Sequence, residues 1–141
     1  MRPCIRSASL DGFVELAESL GLDPAQQVAV AGLDMADLAV PDAWIPAAAA
    51  AWLLELSAAD SGVEDFSLRL SERRRLATLG PLSVVLREEP DLRSALLLLI
   101  RYEYSYNEAI SLQLSEADGL ATLRVWFGFG EPAPTRQRSP R

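Results

Sequence analysis

The sequence predicts an α+β domain: an N-terminal helical bundle followed by an antiparallel β-hairpin that belongs to a larger sheet. Two observations carry this. Apolar residues recur at helical spacing from Phe13 to about Tyr106, and from Ile110 the period changes to two, with Ala117-Asp118-Gly119 between two alternating runs. With 141 residues, half of them apolar, the chain can bury one core. Residues 1–8 are expected as an N-terminal arm and 131–141 as a disordered tail, since Gly130 to Arg141 carry three prolines, three arginines and no apolar period.

The first helix is expected from Ser9 as N-cap, through Phe13, Leu16, Ala17 and Leu20 to Gly21. Asp23 caps the second, with Pro24 at its first position, Gln26 where a capping-box partner sits and Gly32 after its last turn. Leu22, Val28 and Val30 are expected to bury against the first helix. Asp34 to Leu38 makes one or two turns, broken by Val40-Pro41-Asp42. Pro46 to Ala59 is the strongest helix of the set. Its alanine run has high intrinsic propensity and its apolar residues wrap most of the circumference, which predicts a central buried helix with Trp52, Leu53 and Leu56 as its bulk. Asp65 caps an amphipathic piece carrying Phe66, Leu68 and Leu70, and the following Glu72-Arg73-Arg74-Arg75 is taken as a solvated face. A short helix over Leu82 to Arg87 and a longer one from Leu92, capped by Asp91, complete the helical part. The leucines of the last are dense enough to predict a position between two layers. In the hairpin, Ile110, Leu112 and Leu114 share a face with Leu123, Val125, Phe127 and Phe129, and Asp118-Gly119 supplies turn residues able to take positive φ. Trp126 faces the other way.

Composition excludes whole classes of chemistry. There is no histidine and no lysine, so no imidazole base, no Ser-His or Cys-His pair and no Schiff-base lysine is available. A single Cys4 builds neither an internal disulfide nor a thiolate metal site, and a reducing cytoplasmic compartment is expected. No catalytic residue, metal or cofactor is therefore assigned, and an enzyme is not expected. The longest apolar stretches, Ile45 to Leu56 and Ala95 to Ile100, fall short of the roughly 20 residues that cross a bilayer, and neither a secretory signal nor a membrane partner is expected. Every acid lies at or before Glu131, so residues 1–131 carry ten arginines against twenty acids, a balance of −10. Such a body repels phosphate backbones, and no direct nucleic-acid partner is expected. Leu16 to Asp34 has the outline of a helix-turn-helix, but Pro24 to Ala31 offers only Gln26 and Gln27 to a groove.

Several segments together resemble a known family. SLDGFVELAESLGLDP, AGLDMADLAVPDAWIP, the stretch with Phe66, Leu68 and Leu70, Leu79-Gly80-Pro81-Leu82, Arg101-Tyr102 and Asn107-Glu108 follow one another in an order and spacing similar to the N-terminal effector-binding domain, of arabinose-binding type, of AraC-family transcription regulators. The resemblance covers roughly residues 7 to 130. It implies that residues 9–130 are a partial effector-binding domain, the sensor or dimerisation portion of a bacterial-type transcription regulator. It further implies a small-molecule effector, a homodimer or regulator subunit as protein partner, and DNA-binding helix-turn-helix units that lie outside this chain. A stand-alone interaction module and, behind it, a small DNA-binding protein are the alternatives. Arg101, Tyr102, Tyr106 and Asn107, with Tyr104 between them, form the densest polar-aromatic group in the chain and are the expected ligand-binding residues. Against this stands the plain reading that tyrosines border a core and reach water with their hydroxyls.

Overall fold

A three-residue strand near the N-terminus, β1 (Cys4–Arg6), has partners on both sides. The structure is a computed structural model that describes residues 2–40, 42–74 and 79–128. On one side β1 pairs antiparallel with β2 (Trp44–Pro46), Ile5 opposite Ile45. On the other, Ile5 bridges Asn107, the Arg6 N–H donates to the Tyr106 carbonyl at 2.9 Å, and the Glu108 N–H donates to the Cys4 carbonyl at 2.9 Å. The Glu108 side chain accepts from the Cys4 N–H at 2.8 Å. The segment expected as an arm thus contains the strand that joins the helical part to the hairpin.

Seven helices occur among the described residues, three between β1 and β2 and four between β2 and the hairpin: α1 (Phe13–Ser19), α2 (Pro24–Val30), α3 (Met35–Ala39), α4 (Ala47–Ser61), α5 (Phe66–Arg73), α6 (Pro81–Arg87) and α7 (Leu92–Tyr102). Their starts follow the sequence with two exceptions. Ser9 lies in a 3-10 turn, Ser7–Leu10, where its hydroxyl donates to the Arg6 carbonyl, and α1 begins later behind Gly12. Gly12 has φ +83°, a conformation that favours glycine, and an added Cβ would come into contact with Arg73 Cβ at 3.4 Å. Asp65 precedes α5 without capping it, because its carboxylate takes Arg69 Nε at 3.1 Å. Asp23, Asp34 and Asp91 do cap, accepting backbone N–H groups of Ala25, Ala36 and Ser94.

The core lies within the N-terminal two-thirds. Phe13, Leu53, Phe66 and Leu70 are fully buried, with the Phe13 and Phe66 ring centroids 5.9 Å apart, and Ile5, Ile45 and Ala109 close it from the strand side. Helix α4 contributes Ala47, Ala50, Leu53 and Ser57, one stripe at helical spacing, and its alanines let α2 and α5 approach. It is central but not enclosed: Trp52 is half exposed, because no described element packs on that flank. Val30 is likewise exposed, while Val28 is buried and Leu22 packs on the core. Helix α7 departs further from expectation, for none of its residues is fully buried. It packs on α6 and one face of the hairpin, and Leu92 and Leu97 point to solvent.

The hairpin itself follows the sequence closely. β3 (Ile110–Ala117) and β4 (Leu120–Phe127) pair antiparallel with Ile110 opposite Phe127, Leu112 opposite Val125 and Leu114 opposite Leu123. Asp118 and Gly119 take φ of 52° and 75°, the doubly positive turn that matches strand twist. β3 rests against α7, with Arg93 and Glu116 paired at 2.9 Å, whereas Leu123, Val125 and Phe127 of β4 remain largely exposed. Phe129 and the tail from 131 onward lie outside the described residues.

This distribution of burial sets the mutational response. Leu53→Ala is expected to cost about 2–5 kcal/mol, and Leu98→Ala, in half-buried α7, clearly less; urea unfolding of both variants measures the difference. The hydrogen bond from the Ser94 N–H, at 2.7 Å, holds the Asp91 carboxyl below its ordinary range. A depressed carboxylate stabilises the fold above its unfolded-state pKa and loses that contribution as pH falls through the folded one. Asp91→Ala is therefore destabilising at about pH 7, and its effect shrinks as pH falls below the ordinary carboxylate range, as checked by urea midpoints followed from neutral to acid pH.

Candidate functional site

The seam between the two halves forms a half-open cavity of about 290 Å³, at the small end of ligand-pocket sizes. Its apolar walls are Leu79, Leu99 of α7, Ile110 and Leu112 of β3 and Val125 of β4, with Ala8 at the strand side. Arg6, Ser9, Arg74, Glu103, Tyr106 and Asn107 contribute its polar groups. Each is placed by the local fold. Residues 103–105 continue α7 as a 3-10 turn, and the Glu103 carbonyl accepts the N–H groups of Tyr106 and Asn107, both at 2.9 Å. That tight reversal brings Tyr106 and Asn107 from the helix end to the flank of β1.

Tyr106 links three elements. Its hydroxyl accepts the Leu82 N–H of α6 at 3.3 Å, one of the first-turn donors that a helix leaves unsatisfied, while its carbonyl accepts from β1. Asn107 Oδ1 accepts from the Ala109 N–H at 2.9 Å, which leaves its amide nitrogen as the group able to donate. Glu103 is buried, and its Oε1 accepts the Leu112 N–H at 3.3 Å, holding the outer edge of β3. Arg6 is engaged with protein on several sides: Nη1 donates to Asp42 O at 2.7 Å, Nε to Ser105 O at 3.4 Å, and its guanidinium carbon lies 4.2 Å from the Trp44 ring centroid. Arg74 follows α5 and is half-buried, and Nη1 donates to Ser9 O at 2.8 Å. Burial lowers its pKa.

Of the expected ligand-binding residues, Tyr106 and Asn107 line the cavity. Arg101 and Tyr102 are exposed on α7, stacked on each other at 5.5 Å, and do not line it; Tyr104 is exposed as well. The sequence reading missed Arg6, Arg74 and Glu103. Arg74 was legible only as the middle of a charge run, and what separates it from exposed Arg73 is tertiary: at the end of α5 its half-buried side chain lies against Ser9. Gln27, one of two donors considered for a DNA groove, is buried and bonded to Asp60 at 2.9 Å and to Ser57. No metal-holding cluster of carboxylates and thiols occurs among the described residues, and no helix among them is long and apolar enough to cross a membrane.

A helical body and a hairpin share this small, mostly apolar cavity with a few converging polar groups, within an α+β domain. Residues 21–139 match the family described as the arabinose-binding domain of AraC transcription regulators, N-terminal, and the chain belongs to that family. Among known proteins it is similar to the HTH-type transcriptional regulator VirS of Mycobacterium tuberculosis, in two strains, at 30% identity over 128 residues. The aligned part is 91% of this chain and 38% of VirS, so the chain spans about two fifths of the length of the curated relatives it matches.

Tyr106→Phe is expected to strand the Leu82 N–H and cost about 1–3 kcal/mol without changing the fold, which urea unfolding together with far-UV circular dichroism checks.

Proposed function

We propose that this domain is the sensor portion of a cytoplasmic AraC-type transcription regulator, that it binds a small effector in the cavity at the seam, and that it is not an enzyme. The observation that carries the reading is the position of the cavity: its lining comes from β1's neighbourhood, from α7 and from both hairpin strands, so a molecule inside touches each part that has to stay in register. Occupancy favours the arrangement in which those parts are closed together, which is how a ligand shifts a population between conformations. Tyr106 and Asn107 are the ligand-binding residues kept from the sequence reading. DNA contact is left to helix-turn-helix units of the kind for which the relative VirS, an HTH-type regulator, is named. The acidic balance of this chain, −7 overall, agrees with a domain that does not itself bind DNA.

The open apolar face of β4 favours a second role beside the first, as contact surface for a protein partner, either another copy or the regulator's remaining part. It complements effector binding rather than replacing it.

A thermal-shift screen of small metabolites against the chain tests the proposal. An effector raises the melting temperature, and Leu99→Trp, which fills the cavity from α7, removes the shift while the unliganded protein still melts cooperatively. Ligand-induced shifts that survive Leu99→Trp would place the effector elsewhere and end this reading.

A further inference from the structure

The two arginines at the cavity are in different states. Arg6 is engaged by two carbonyls and an indole ring. Arg74 has one protein partner among the described residues, the Ser9 carbonyl, and belongs to neither ion pair found among them. A guanidinium carries five N–H donors, and one withdrawn by half from water with a single acceptor lacks most of its partners. Much of the remaining lining is hydrocarbon: Leu99, Ile110, Leu112 and Val125 offer side chains with no polar atom, and the Glu103 carboxylate beside them is already bonded to the Leu112 N–H. A sugar carries a hydroxyl on nearly every carbon and would leave those hydroxyls unpaired along that lining, at a cost for each. The cavity is therefore poorly matched to the neutral sugar after which the family is called.

We propose that the cavity takes a small amphipathic carboxylate, its head held by the Arg74 guanidinium and its apolar body laid against Leu99, Ile110, Leu112 and Val125. This rests on the effector-binding reading above and adds the chemical class. A planar carboxylate matches the guanidinium fork, and its single charge is repelled less by the Glu103 carboxyl group of the same cavity than a doubly charged phosphate head would be.

Calorimetric titration of the whole chain with 4-propylbenzoate, its uncharged counterpart 4-propylbenzyl alcohol, and L-arabinose tests the proposal. The expected result is that the benzoate binds at least about tenfold tighter than the alcohol, that arabinose gives no signal, and that Arg74→Gln weakens the acid far more than the alcohol, so that the advantage of the acid is lost. Arg74→Lys, which keeps the charge without the fork, falls between, and it serves also if Arg74→Gln folds poorly. Equal affinity for acid and alcohol, an acid preference that survives Arg74→Gln, or binding of arabinose alone would overturn the carboxylate assignment. In each of those cases sensitivity to Leu99→Trp shows whether the cavity remains the binding site. Absence of heat from all three compounds overturns the assignment as well, and the metabolite screen then judges the cavity by itself.

Discussion

The fold depends on the double pairing of three residues, Cys4 to Arg6. Their backbone groups are divided between β2 on one side and residues 106–108 on the other, two segments that lie about sixty residues apart in sequence. Ile5 and Ile45 are buried where those pairings meet, and Ala109 is buried just beyond, so the hydrogen bonds are shielded by apolar side chains and the apolar side chains are held by hydrogen bonds. Without β1, the helices α1 to α5 would retain their shared core, but the reversal after α7 would have little to attach to. The hairpin would then rest on α7 alone, a helix with no fully buried residue.

Much of this was legible from local chemistry. Aspartates at 23, 34 and 91 marked helix starts because a short carboxylate satisfies first-turn N–H groups unless, like Asp65, it is drawn to a cation, and Asp118-Gly119 marked the hairpin because few residues tolerate two positive φ values in succession. What stayed hidden was tertiary. β1 is too short to show a period, and its strand character is conferred by partners 40 and 102 residues away, counting from Ile5 to Ile45 and Asn107. Leucine density in α7 and alanine density in α4 reported apolarity all round, and apolarity alone does not say which flank another element will cover. Both helices therefore looked more enclosed than they are.

The cavity divides along the same line. Tyr106 and Asn107 stood out in sequence as polar residues at a helix-to-strand junction, and the tight turn through Glu103 does bring them to the cavity. Arg101 and Tyr102 belonged to the same cluster by composition, but they lie before that turn, on the exposed side of a helix still running straight. Arg74 shows the opposite case. Its neighbour Arg73 ends α5 in solvent, while Arg74, the C-cap residue, reaches the Ser9 carbonyl. Three consecutive arginines carry no sequence mark that separates one such fate from the other.

Glu103 gives the hairpin a handedness of use. By taking the Leu112 N–H with a carboxylate oxygen, it occupies part of the outer margin of β3 with a side chain that cannot donate in return when ionised. A peptide strand approaching there meets an acceptor already in place and a blocked donor, the kind of obstacle that keeps sheets from joining edge to edge. Among the described residues no such plug is seen at β4, whose residues are exposed along their whole length. The ribbon is thus obstructed at Leu112 on one margin and unobstructed on the other, so an added strand would meet fewer obstacles along β4 than along β3.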